Sequence, residues 1–229
     1  MTILYSNGCS YTANYNIERS ERYPILIAKH FKWMVQDKAI PGNCNSKIIR
    51  SAMRDCVSLL KQEKPIVAMI QLTHQERFEY AGKPTKENAW KYGLLHDQVE
   101  NIDKQIFDQF ESINPMDEKH WPKEIVQYAK QHLILQKIDA LNTNLFHSII
   151  GLASFFRTNN IKYLIYAGPS FYNPEIDNDP FYRYLLNDKN VIDLNNFNML
   201  SITGLSKHPD SSGMKKIADY FINLLDEPK

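Results

Sequence analysis

Two short segments at opposite ends of the chain carry complementary chemistry. The first is Asn7-Gly8-Cys9-Ser10-Tyr11-Thr12, directly after the apolar run Ile3-Leu4-Tyr5. A serine just past a strand, in a turn-forming sequence, exposes its hydroxyl, and backbone N–H groups at a helix start can hold an oxyanion. The second is Lys207-His208-Pro209-Asp210-Ser211-Ser212-Gly213, which leads into the last amphipathic stretch. Proline after His208 restricts that residue to extended backbone, a rigid mount for a general base. Each segment also suits a structural role. Ser10 or Thr12 can cap the next helix, and a lone histidine is more often structural than catalytic. Together they point to a hydroxyl nucleophile served by an imidazole.

Other reactive side chains fit around this pair. Cys9 neighbours Ser10, but adjacent residues in an extended turn point apart, so Cys9 reads as a small packed residue. His74 reads as a second base, a substrate contact or a solvent-facing polar residue. Arg77 suits a phosphate or carboxylate clamp, or an ion pair with Glu76, Glu79 or the segment that follows. The remaining histidines (His30, His96, His120, His132, His147) lack metal-ligand spacing, so no metal site is expected. Neither a G-x-x-x-x-G-K-S/T loop nor a G-x-G-x-x-G occurs, and no nucleotide cofactor is expected.

Hydrophobic patterning says which elements hold these loops. Ile3-Leu4-Tyr5 reads as a buried strand ending in a tight turn. Tyr23 to Phe31 has rough helical spacing, and Trp33-Met34-Val35 starts a second strand. Asn45 or Ser46 is placed to cap a helix running to about Leu60. Pro65 to Leu72 and Ile161 to Ala167 read as buried strands, Val191-Ile192-Asp193 as a short last one, and Gly213 to Leu225 as a closing amphipathic helix. Strands alternating with helices predict a three-layer α/β/α sandwich on a mainly parallel sheet. Such sheets place their crevice at the carboxyl ends of the strands, so the loops after Tyr5, Ile40, Leu72 and Ala167 should meet at one rim. Residues 82–159 break the rhythm and read as a helical insertion in a single domain, with a long helix from about Pro122 to Arg157. A lid over the rim and a packing layer or dimer surface are both open for it.

Composition bounds the function classes. The chain has 229 residues, 43% hydrophobic and 23% charged, with a formal net charge of +1, as expected of an ordinary globular protein. Proteins built to hold nucleic acid concentrate Lys and Arg, so no nucleic-acid partner is expected. No apolar run approaches the roughly 20 residues that span a bilayer, so no membrane partner is expected. The N-terminus shows no signal-peptide pattern. Cys9, Cys44 and Cys56 cannot all pair with one another and read as reduced thiols in a cytoplasm.

The blocks, taken in order, resemble the SGNH hydrolases, the GDSL-type esterase and lipase superfamily. Gly8-Cys9-Ser10 stands where that family has G-D-S, Gly42 matches its second-block glycine, and His208-Pro209 matches its last block. The chain is similar to a bacteriophage and bacterial branch with a G-C-S-[FY]-T first block. That branch has a G-x-x-N second block followed by I-x-R (here Gly42 to Asn45, then Ile48 or Ile49 with Arg50) and an Arg after the third strand (Arg77). The resemblance covers roughly Met1–Tyr80 and Ile161–Leu225. It implies that Ser10 is an acyl-accepting nucleophile and His208 its base, with Ser10 and Gly42 N–H groups as oxyanion donors. It implies a small-molecule or polymer-linked acyl or acetyl ester as substrate, and no cofactor.

Two blocks depart from the family. Its third-block Asn is here Thr73, in Gln71-Leu72-Thr73-His74, so the third oxyanion donor is a hydroxyl, is Asn45, or is missing. The usual Asp before the last-block His is absent, since Leu205 and Ser206 stand there. A Ser-His dyad is therefore expected, unless Asp193 or Asp210 supplies the acid. An acyltransferase, and a binding protein with a degenerate site, are the alternatives to a hydrolase.

Overall fold

The computed structural model describes residues 1–13, 16–74, 77–81, 110–113, 127, 138–168, 176–194, 199 and 208–226. A parallel sheet is built from β1 (Ile3–Asn7), β2 (Met34–Asp37), β3 (Ile66–Leu72) and a later strand, Lys162–Ala167. That last strand is β6, because two short strands, β4 (Phe78–Ala81) and β5 (Phe110–Ile113), precede it. The sheet order is β2-β1-β3-β6. A single parallel bridge from Ile165 to Val191 extends it by one position, which is all that forms of the short last strand expected there.

The strands separate two apolar clusters by strict alternation. On β1, Ile3 and Tyr5 face one cluster and Leu4 the other. On β3, Ile66, Ala68, Ile70 and Leu72 oppose Val67 and Met69 in the same way. A sheet covered on both faces needs apolar residues at every position, and each face still reads with period two.

Helices cover both faces. The helices α1 (Tyr23–Phe31) and α5 (Ser211–Asp226) pack together over Leu4, Met69 and Tyr166. Met214, Ile217 and Phe221 of α5 are fully buried, each stabilising by about 1.5–3 kcal/mol relative to exposure. On the opposite face lie α2 (Asn45–Leu60) and α3 (Ile138–Thr158). This is the expected three-layer α/β/α arrangement.

The segment 82–159 differs in part from its expectation. Strand β5 lies within it and pairs antiparallel with β4, Phe78 opposite Ile113, outside the main sheet. Phe146, Ile149, Leu152, Ala153 and Phe156 bury α3 against the sheet, so α3 is a packing layer rather than a lid. Of the expected N-terminal part of that helix, Gln127 alone is among the described residues. A further short helix, α4 (Pro180–Leu186), starts where Asp179 accepts from Phe181 N (2.8 Å) and Tyr182 N (3.1 Å). Cys9, Cys44 and Cys56 are free and buried, and burial, with Asp55 nearby, pushes the Cys56 thiol up to about 12.

Candidate active site

The carboxyl ends of β1 and β3 and the start of α5 meet at one rim. There Ser10 Oγ lies 2.7 Å from His208 Nε2. After β1 the chain makes one hydrogen-bonded turn, with Thr12 N and Ala13 N both donating to Cys9 O (3.0 and 2.9 Å). This turn does not begin the next helical elements, a 3-10 turn at Arg19–Glu21 and α1 from Tyr23, so Ser10 is not a helix cap. His208 is held from its carboxyl side. Pro209 is buried, and Asp210 caps α5 by accepting from Gly213 N at 2.8 Å. The Tyr11 ring flanks the imidazole, with centroids 4.8 Å apart.

Two buried amides brace the serine turn. Asn7 Oδ1 accepts from Gly8 N (2.8 Å), and its Nδ2 reaches Tyr5 Oη, Ile48 O and Ser51 Oγ at 3.1, 3.2 and 2.8 Å. From β3, Gln71 Oε1 accepts from Cys9 N (2.9 Å) and Thr12 Oγ1 (3.1 Å). Gln71 Nε2 donates to Cys9 Sγ (3.3 Å) and to Leu72 O. Thr12 Oγ1 continues to Tyr23 Oη (2.7 Å), and Tyr23 Oη to Tyr166 Oη (2.6 Å), a buried chain of hydroxyls ending on the Gln71 amide. Burial raises the pKa of both tyrosines, so both stay protonated.

The sequence blocks give Gln71 no role. The available signal was a lone amide in the otherwise apolar run Ile66–Leu72, because a buried amide must find partners. Gly8 and Gly168 make room for it. A Cβ on Gly8 would lie 2.6 Å from Gln71 Oε1, and one on Gly168 would lie 2.3 Å from Gln71 Nε2. Cys9 is fully buried with its thiol turned to Gln71, as its reading as a packed residue required.

Of the candidate oxyanion donors, the Ser10 and Gly42 N–H groups have no hydrogen-bond partner among the described residues. Gly42 is exposed at φ +80°, a left-handed backbone that suits glycine. Asn45 is spent elsewhere. Its Nδ2 donates to Thr73 O (2.9 Å) and its Oδ1 accepts from Thr73 N (2.7 Å), tying α2 to the end of β3. Nor does Asn45 cap the helix: Cys44 holds the cap position, and Asn45 lies one residue inside. Thr73 is completely buried and its hydroxyl has no partner.

Neither acid expected as a replacement reaches the imidazole. Asp210 is the α5 cap, and Asp193 Oδ1 accepts from Tyr182 Oη at 2.5 Å. Leu205 and Ser206 lie outside the described residues. No carboxylate contacts His208 among the described residues. Lost hydration, then the nearby Arg77 charge, lower the His208 pKa from its ordinary 6.5. Arg77 is half-buried, and its Nη1 donates to Asn43 O at 3.3 Å. His74 is exposed just past β3.

Among the described residues no group of three or more His, Cys, Asp or Glu could hold a metal, and no helix is long and apolar enough to cross a membrane. No protein-family model and no curated protein matches the chain. Solved structures match over nearly its whole length. TesA aligns with a TM-score of 0.50 at 14% identity, covering 99% of this chain and 98% of that one. A lipolytic protein of the G-D-S-L family from Desulfitobacterium hafniense DCB-2 gives 0.48 at 12% identity over 98% and 99%. The esterase EstA from Pseudoalteromonas sp. gives 0.47 at 15% over 99% of each chain. The likeness to TesA shows a shared fold.

Proposed function

We propose that this chain is a serine ester hydrolase of the SGNH type, working through a Ser10-His208 dyad. The observation that carries the reading is the 2.7 Å approach of Ser10 Oγ to His208 Nε2 across nearly the full length of the chain. Neutral Nε2 takes the hydroxyl proton as Oγ attacks the ester carbonyl. The imidazolium then returns that proton to the leaving alkoxide, giving acyl-Ser10 and the alcohol. In the second half His208 takes a proton from water as the hydroxide adds to the acyl carbon, and the imidazolium returns that proton to the departing Ser10 Oγ, which releases the carboxylic acid and restores the neutral pair. The unpartnered N–H groups of Ser10 and Gly42 are the oxyanion donors. Each such donor contributes about 3 kcal/mol in the transition state.

The lowered His208 pKa keeps the base neutral at pH 7, which favours attack. Among the described residues no carboxylate stabilises the imidazolium, so the dyad should turn over more slowly than a full triad. The substrate on this reading is a small acyl or acetyl ester, on a small molecule or on a carbohydrate or other polymer. Three buried free cysteines suit a reducing compartment such as the cytoplasm.

A fluorophosphonate probe tests the reading. Labelling should map to Ser10, vanish in Ser10→Ala and fall strongly in His208→Ala. Folded wild-type protein that stays unlabelled would remove the hydrolase assignment. Product analysis with an added alcohol acceptor tells hydrolysis of p-nitrophenyl acetate from acyl transfer.

A further inference from the structure

We infer that the substrate carries an anionic group, a carboxylate or a phosphate, close to its scissile ester, and that Arg77 receives it. The inference rests on the hydrolase reading above and adds a substrate class to it.

Arg77 sits beside the loop that carries a candidate oxyanion donor. Its Nη1 donates to the carbonyl of Asn43, the neighbour of the candidate oxyanion donor Gly42. Its charge acts on both rings at the mouth of the site, Tyr11 and His208. A guanidinium has five N–H donors in a planar fork, and the Asn43 carbonyl engages one nitrogen of it. Glu76 and the Glu79 side chain, offered above as ion-pair partners, lie outside what is described, and no carboxylate pairs with Arg77 among the described residues. The other described arginines near the sheet are committed differently: Arg22 pairs with Asp37 at 3.3 Å and Arg157 with Asp188 at 2.6 Å.

A cation with no carboxylate partner among the described residues works against the proposed chemistry. His208 must become imidazolium when Ser10 attacks, and a neighbouring positive charge opposes that step. A substrate anion seated on the guanidinium cancels the opposition in the bound complex, while a neutral ester leaves it in force. The same group therefore binds an anionic substrate and restores the base once the right substrate is present. A purely structural Arg77, tying the loop at Asn43 to the end of β3, would treat charged and neutral esters alike.

The test compares mono-4-nitrophenyl succinate, whose acyl chain ends in a carboxylate, with its neutral methyl ester. In wild-type protein kcat/KM should favour the anionic ester by roughly tenfold to a hundredfold, the range for a hydrogen bond to a charged group. In Arg77→Gln the ratio should collapse towards one, and Arg77→Lys should retain part of it. Inorganic phosphate added to the neutral-ester assay separates the two anions. Inhibition present in wild type and absent in Arg77→Gln assigns a phosphate-bearing substrate, and no inhibition assigns a carboxylate. Equal kcat/KM for the two esters in a protein that turns both over overturns the inference and leaves the hydrolase reading standing. Turnover of neither ester, with Ser10 unlabelled by fluorophosphonate, overturns both.

Discussion

Replacing Gln71 by leucine should loosen the serine turn while leaving the sheet intact. Gln71 is fully buried, and its side chain spans from β3 to the turn. Removing the amide leaves four groups to account for, of which Cys9 Sγ loses only a weak acceptor contact. Leu72 O keeps an N–H, because Gly168 N also donates to it at 2.9 Å. Thr12 can reverse its hydroxyl and donate to Tyr23 Oη, 2.7 Å away, if Tyr23 in turn donates to Tyr166. Cys9 N has no such escape, since Gln71 Oε1 is its acceptor at 2.9 Å. One buried N–H left without an acceptor costs about 1–3 kcal/mol. For a domain of this size that corresponds to a fall in Tm of about 2–12 °C. Cys9 directly precedes Ser10, so the freed N–H sits one peptide from the attacking oxygen and the Ser10 oxyanion donor. A misplacement near 1 Å costs about a hundredfold in rate, so kcat/KM for p-nitrophenyl acetate should fall by roughly that factor in protein that still folds. Thermal unfolding followed by circular dichroism, with steady-state kinetics on the same samples, reads both numbers. An unchanged Tm would refute the hydrogen-bond accounting, and a normal kcat/KM with a lowered Tm would refute the link to Ser10.

Gly168→Ala should reproduce the Gln71→Leu phenotype, because the new methyl would lie 2.3 Å from Gln71 Nε2 and must displace it; an overpacked site of this kind costs about 1–3 kcal/mol, and a Tm equal to wild type would show that the amide can move freely. The pH profile of kcat/KM should rise along a single limb whose midpoint lies below 6.5, because lost hydration and the Arg77 charge both disfavour the imidazolium. Arg77→Gln removes a positive charge and should move that midpoint upward; a wild-type midpoint at or above 6.5 would contradict the geometry. Thr73→Val deletes a buried hydroxyl that has no partner, so stability should hold or rise by up to about 1–3 kcal/mol. If that hydroxyl is the third oxyanion donor, kcat/KM should fall about a hundredfold, and an undiminished rate would free Thr73 from that role.

The layer architecture was legible in the chain because its signals are local. Apolar runs long enough to be buried strands stand at Ile66–Leu72 and Lys162–Ala167, and Tyr23–Phe31 and Asn45–Leu60 carry helical spacing with the ends observed. Strand-helix alternation then implies a parallel sheet with its loops at one rim, which is enough to aim Ser10 and His208 at each other. The pairing of β4 with β5 could not be read the same way. Two four-residue strands far apart in sequence carry little periodicity, and their partnership is a long-range event.

What the fold alone decided is how each polar group is spent. Asn45 and Asp210 had residue types suited to the site, and tertiary contacts assigned one to the Thr73 backbone and the other to the cap of α5. Gln71, unremarkable in a list of residues, became the brace of the serine turn because β3 lies beside β1 and the chain left glycine on both sides of the amide. Periodicity records which way a side chain faces, since burial acts on every residue of an element. Hydrogen bonds and charge pairs depend on a few ångströms between segments distant in sequence, and those distances exist only once the sheet has closed.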